Sequence, residues 1–175
     1  MTNTGTPKPG LQVSLHGDRE IVMTRVFRAP RALVFEAMTK PELVKQWLLG
    51  PPGWTMPVCE IDLRVGGTYR YVWRHTNGDE MGMGGVYREV AIPERVVTTE
   101  KFDQAWYPGE AVGTLLLSEQ DGKTTITQTV LYESREARDG ILKSGMESGV
   151  AASYDRLEEL LASQGAGERE KGATG

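Results

Sequence analysis

Six strand-like runs follow one another in this chain with almost nothing between them. They occupy residues 57–63, 67–74, 81–90, 95–102, 111–118 and 123–132. The links carry hairpin signals: Gly66–Gly67, Asn77-Gly78-Asp79 and Gln120-Asp121-Gly122-Lys123. A longer turn is expected at 103–110, DQAWYPGE. A parallel pairing would need crossovers of a dozen residues or more, so these runs form an antiparallel meander. Such a sheet must bury one face, and few other segments can cover it. The only one of sufficient size is SREARDGILKSGMESGVAASYDRLEELLA, 134–162. It reads as a long C-terminal helix, with Ser134 as a cap and with Gly140 or Ser144–Gly145 as places where it can kink or split.

A seventh strand precedes the meander. REIVMTRVF (19–27) sets Ile21, Met23 and Arg25 on one side and Val22, Thr24 and Val26 on the other. Two short helices follow, at about 30–38 and 41–47. Pro30 and Pro41 stand near their starts, and Pro41 breaks the helical path at Thr39–Lys40. LLGPPGWTMP (48–57) is a stiff loop. Residues 1–17 and 163–175 lack large periodic apolar content and read as disordered tails, leaving one domain over 18–162.

The long helix has an uneven stripe. Leu142, Met146, Val150, Ser153, Leu157, Leu160 and Leu161 share a face with Gly149 at its edge, and the bulk lies toward the C-terminal end. Interior glycines at 145 and 149 would each cost on the order of 1 kcal/mol against alanine. The opposing strands offer Tyr69, Tyr71 and Trp73, then Met81, Met83, Gly85 and Tyr87. Large side chains facing a small-residue helix face are compatible with two packings. They either interlock without a void or leave an apolar pocket with a few polar tips, the usual form of a small-molecule site. The glycine run 82–85 sits within a strand, where it implies a bulge or bend.

The order of elements resembles the helix-grip fold of the START-like, or SRPBCC, superfamily. There a curved seven-stranded antiparallel sheet wraps around a long C-terminal helix. TRVFRAPRALVFEAMTKPELVKQWL, EIDLRVGGTYRYVWR, GGVYREVAIPERVVTTE and GMESGVAASYDRLEELL are similar to motifs of the branch named after the activator of heat-shock-protein-90 ATPase. They cover about residues 19–162. The resemblance implies an apolar cavity between sheet and helix, often opened by the loop after the second short helix. It implies no single activity, since superfamily members bind lipids, sterols and hormones or catalyse cyclisation and dehydration of polyketides. Where Val150 stands, many relatives carry a tryptophan or another large aromatic, so the cavity is expected to be larger here. The branch's name implies chaperone regulation and a stress-response setting. The co-chaperones that gave it carry an additional N-terminal domain, whereas about 18 residues precede the first strand here.

The ligand-binding candidates are therefore Trp47, Trp54, Tyr69, Tyr71, Trp73, Met83, Met146, Gly149, Val150 and Ser153. Trp47 is expected to line the core and Trp54 to stand near the entrance, on either side of the stiff turn. A search for chemistry finds less. His16 and His75 have no metal-ligand spacing, and no nucleophile elbow, phosphate loop or dinucleotide fingerprint occurs. No metal and no cofactor are expected. Cys59 alternates with Ile61 and Leu63 and reads as a buried, inert thiol. Glu60, Asp62 and Arg64 could act as a proton-transfer pair if their face lined a pocket; the simpler alternative is that Asp62 and Arg64 fasten the Gly66–Gly67 turn.

A net charge of −4 gives no general basis for nucleic-acid binding. No run approaches the ~20 apolar residues of a membrane span. With no secretory leader at the start and a single cysteine, the chain reads as cytoplasmic. Three functions remain, in order of support: binding of a small hydrophobic or amphipathic molecule, a cyclase- or dehydratase-type enzyme using a pocket acid or base, and a protein-interaction module. A homodimer is compatible with the exposed sheet edges.

Overall fold

A computed structural model describes residues 10–103 and 109–173. Eight strands and four helices follow in the order β1 (Gln12–His16), β2 (Glu20–Phe27), α1 (Arg31–Thr39), α2 (Pro41–Trp47), β3 (Trp54–Ile61), β4 (Thr68–His75), β5 (Glu80–Ala91), β6 (Arg95–Phe102), β7 (Ala111–Gln120), β8 (Lys123–Leu131), α3 (Arg135–Lys143) and α4 (Met146–Ala173). All strands join one antiparallel sheet of order β1-β2-β8-β7-β6-β5-β4-β3. β3 to β8 form the expected meander, and β2 closes onto its last strand with Phe27 opposite Thr124. The β7–β8 hairpin ends at Gln120 opposite Lys123. Asp121 and Gly122 between them both have positive φ, 54° and 74°. That is the mirror-image turn whose twist matches the flanking strands.

The long helix packs its middle turns, Tyr154 to Leu161, against the sheet and the short helices. Leu157 and Leu161 are fully or nearly fully buried. Tyr154 stands edge-on to Phe27, with ring centres 5.7 Å apart, and tilted against Trp47 at 5.9 Å. Removing a leucine from such a site costs roughly 2–5 kcal/mol. A charged contact fixes the same turns. Arg25, buried on the inward face of β2, donates from Nη1 to Asp155 Oδ1 at 2.7 Å.

The structure corrects three expectations. The sheet has an eighth strand, because residues 12–16 pair with β2 from Gln12 opposite Thr24 to His16 opposite Glu20. Leu11 and Val13 pack against buried Ile21 and Met23 of that partner, so this part of the chain is not a tail. At the other end α4 continues to Ala173. Glu168, Arg169, Glu170 and Lys171 favour the extension of a helix already nucleated, while Gly165, Gly167 and Gly172 each oppose it by about 1 kcal/mol. Residues 1–9, 174 and 175 lie outside the described residues, as does 104–108 of the expected long turn.

The third correction concerns Gly145. The C-terminal segment splits at Ser144–Gly145, and Gly145 has φ of 81°. It is not a helix-interior residue but the left-handed stop after α3, where glycine avoids the Cβ penalty. Ser134 caps α3 as expected, its hydroxyl accepting the Ala137 amide at 3.1 Å. In β5 the register shifts between Tyr87 and Glu89, just beyond the glycine run. Within that run, a Cβ on Gly85 would collide with the Thr99 carbonyl oxygen, so glycine is needed there for close approach. Among the described residues no helix is long and apolar enough to cross a membrane.

The two glycines of the helical segment should respond oppositely to alanine. Gly145→Ala is expected to destabilise by about 1 kcal/mol, because Ala disfavours positive φ. Gly149→Ala is expected to stabilise by up to about 1 kcal/mol, because it lies inside α4 with room for a methyl. Urea unfolding of both variants checks this, and shifts of the same sign would contradict the split.

Candidate functional site

β4 lays Tyr69, Tyr71 and Trp73 along one face by simple alternation. Their register partners on β5 are Gly85, Met83 and Met81. The three rings are tiled, with neighbouring centres 5.1 and 5.8 Å apart. Tyr69 is fixed by its hydroxyl, which donates to the Thr99 carbonyl at 2.7 Å. Trp73 is fixed by its Nε1, which donates to the Leu48 carbonyl at 2.7 Å. That last bond reaches into the loop after α2, so the aromatic wall and the loop are one assembly.

The same loop reaches α4. The Gly50 amide donates to Ser153 Oγ at 2.9 Å, and the Gly50 carbonyl accepts from Arg156 Nη1 at 2.7 Å. Pro51 packs over Gly149, where an added Cβ would lie 3.5 Å from the proline Cδ, an ordinary contact. Crowding therefore does not require glycine at 149. The residue leaves α4 thin on the side that faces the loop and sheet.

A cavity of about 530 Å³ lies between the aromatic wall, the loop and the N-terminal half of α4. Its lining includes all ten sequence candidates: Trp47, Trp54, Tyr69, Tyr71 and Trp73, Met83 from β5, and Met146, Gly149, Val150 and Ser153 from the helix. Trp47 is buried, with its Nε1 donating to the Ala37 carbonyl at 2.8 Å. Trp54 is half-buried, and its ring meets His75 edge-on at 5.0 Å.

Glu60, Asp62 and Arg64 are not part of it. All three are exposed, and none lines the cavity. Arg64 Nε donates to both carboxylate oxygens of Asp62 at 3.1 and 2.9 Å, while the Asp62 amide bonds the Thr68 carbonyl at 2.9 Å. They fasten the turn into β4. Cys59 points inward and is buried, and burial pushes its thiol up to about 11, which makes it inert at neutral pH. Among the described residues no cluster of His, Cys, Asp or Glu could hold a metal ion.

The carboxyl that does face the cavity is Glu100, on β6. Val96, Thr98, Glu100 and Phe102 alternate onto the lining. Glu100 is enclosed by protein, and the partial accessible surface it keeps faces the cavity. Burial pushes its carboxyl from 4.5 up to about 7. Among the described lining residues it is the only charged side chain. The sequence signal for it was the alternation itself: a glutamate two residues from Thr98 and Phe102 on the inward face of a strand. Tyr154, another lining residue outside the candidate set, lay one position from Ser153 and off the assumed helical stripe.

Residues 28–162 match the family described as Activator of Hsp90 ATPase homolog 1-like protein. The chain belongs to this family. The Activator of Hsp90 ATPase homolog 1-like fold is shared with solved structures. A protein of Rhodobacter sphaeroides is 29% identical with a TM-score of 0.83, covering 88% of this chain and 99% of that one. A protein of Nitrosomonas europaea is 25% identical with a TM-score of 0.76, covering 87% and 99%. A protein of Aeromonas hydrophila called AHSA1-like is 16% identical with a TM-score of 0.66, covering 81% and 93%. It speaks for the fold alone. No curated protein matches the chain. The family assignment agrees with the SRPBCC superfamily and with the helix-grip arrangement of sheet and C-terminal helix.

Glu100 has a consequence for stability. The native state holds a proton that the unfolded chain releases between pH 4.5 and about 7. Stability is therefore full below that window and falls as pH rises through it, by about 3 kcal/mol at most. Glu100→Gln removes this loss, so the variant should gain on the parent between pH 4 and 8. Denaturant midpoints at several pH values measure it, and parallel pH curves would refute the burial of this carboxyl.

Proposed function

We propose that this protein binds a small hydrophobic or amphipathic molecule in the cavity between β4–β6, the loop 48–53 and α4. The observation that carries the reading is the cavity itself. At about 530 Å³ it falls within the range of small-molecule sites. Its walls are tyrosines, tryptophans, methionines and leucines, and polar groups are few. Native interiors are close-packed, so a space this large is not incidental to folding. The family's superfamily relationship supports the reading, because such folds commonly bind hydrophobic ligands.

A second reading is an acid–base enzyme of the cyclase or dehydratase type. One observation favours it: Glu100 near neutrality, in a cavity it shares with tyrosine phenols. The residues first considered for this role, Glu60 and Asp62, are outside the cavity, so Glu100 takes their place. The family's name raises a chaperone partner as a third possibility. Co-precipitation with the chaperone and its ATPase rate are the measurements for that reading.

The binding reading is tested by filling the space. Val150 is half-buried and faces the cavity from α4. Val150→Trp should leave the protein folded by circular dichroism. A panel of apolar fluorophores and extracted metabolites should raise the melting temperature of the parent by several degrees, as expected when ligand greatly exceeds its dissociation constant. The filled variant should lose most of that shift. A parent protein indifferent to the whole panel, or equal shifts in both proteins, would count against the reading.

A further inference from the structure

The cavity has a polar floor. Gly113 of β7 faces it, paired with Thr98 on β6 and Val130 on β8. A methyl at Gly113 would lie 3.0 Å from Gln128 Nε2, 3.2 Å from Glu100 Oε1 and 3.4 Å from Thr98 Oγ1. A carboxyl, a carboxamide and a hydroxyl thus converge on the space that the missing side chain vacates. Among the described residues, the Glu100 carboxyl takes part in no hydrogen bond and no ion pair. Buried polar groups are nearly always partnered, and a buried carboxylate is stabilised by a cation placed beside it.

Aromatic rings complete the surroundings. Burial raises the phenols of Tyr71 on β4 and Tyr154 on α4, and the nearby Glu100 charge raises them further. With the phenols of Tyr69, Tyr87 and Tyr132, these are the titratable groups that share the described cavity lining with Glu100. β7 and β8 present Gly113, Leu115 and Gln128, which do not titrate. Arg25 also approaches Tyr154, but its guanidinium is engaged by Asp155.

We propose that Glu100 anchors an organic ammonium group, so that the preferred occupant is an amphipathic amine with its nitrogen over Gly113 and its apolar body along the aromatic wall. This rests on the ligand-binding reading above and names the class of ligand. An ammonium satisfies the floor on three counts. It neutralises Glu100, its N–H groups meet the Thr98 hydroxyl and the Gln128 carboxamide oxygen after an amide rotation, and its charge is favoured by aromatic faces. A fatty acid would set a second negative charge beside Glu100 with no lysine or arginine among the described lining residues to offset it. A neutral alcohol leaves the ionised carboxyl without a counter-charge.

The test uses the tryptophans of the lining as reporters. Decylamine, decanol and decanoate are titrated into the full chain below their micelle concentrations, at pH 8 and at pH 5.5. At pH 8 decylamine should bind about tenfold or more tighter than decanol, with decanoate weakest. At pH 5.5 Glu100 holds its proton, and the advantage of the amine should shrink. In Glu100→Gln the amine-to-alcohol ratio should fall toward one at both pH values. Decanoate binding as tightly as decylamine at pH 8, or an amine advantage that survives Glu100→Gln, overturns the inference while leaving a hydrophobic site intact. Failure of all three probes to bind removes the binding reading itself. Should Glu100→Gln not fold, the pH comparison on the parent protein decides alone: an amine advantage unchanged between the two pH values refutes the anchor.

Discussion

The long helix is held off the sheet at one end and pressed onto it at the other, and this unequal support governs the rest of the structure. Toward its C-terminus, Tyr154, Leu157 and Leu161 fill the space against Phe27 and Trp47, and Arg25 clasps Asp155. Toward its N-terminus no comparable bulk exists. There the loop after α2 stands between helix and sheet, bonded to Ser153 and Arg156 on one side and to Trp73 on the other. The loop is a strut. Its two prolines restrict it, and its peptide groups at Leu48 and Gly50 are spent on the neighbours rather than on itself. Burial at one end stabilises the domain enough that emptiness at the other can be tolerated.

Polar groups follow the same division. On the outside, arginines pair with carboxylates in exposed contacts such as Arg74–Glu80 and Arg95–Glu89, each worth little. On the inside, tyrosine and tryptophan tips mark fixed points, and Tyr69 and Trp73 each give their hydrogen to a backbone carbonyl. Glu100 departs from this economy. A carboxyl kept inside without a partner lowers the stability of the protein at neutral pH.

Much of this was legible in the sequence, and for identifiable reasons. Strict alternation in TYRYVWR put three aromatics on one face, and the structure keeps them there. Proline positions located the two short helices, and Asp-Gly located the last hairpin. The misses have equally physical causes. β1 has only five residues, and its stability comes from pairing with β2 rather than from a pattern of its own. Gly140 and Ser144–Gly145 were equal candidates for a break in the helix, and only the positive φ of Gly145 decides between them. Glu60 and Asp62 drew notice as a carboxylate pair near a turn, while Glu100 hid within a threonine-rich strand. Which face of a strand is inward depends on how the sheet curves, and one strand's letters do not encode that.

Gly113 shows how such a scaffold can change its taste without changing its shape. The position lies mid-strand, where its backbone bonds are made by β6 and β8 whatever side chain it carries. Its want of a side chain is what lets the ends of Gln128, Glu100 and Thr98 come as close as 3.0, 3.2 and 3.4 Å to the place a Cβ would take. An alanine or serine there would press on those three side chains while the sheet, the strut and the clasped helix stayed as they are. Homologues that differ at this one site could therefore share an architecture and yet present different chemistry on the floor of the cavity, so overall likeness is a weak guide to the character of that space.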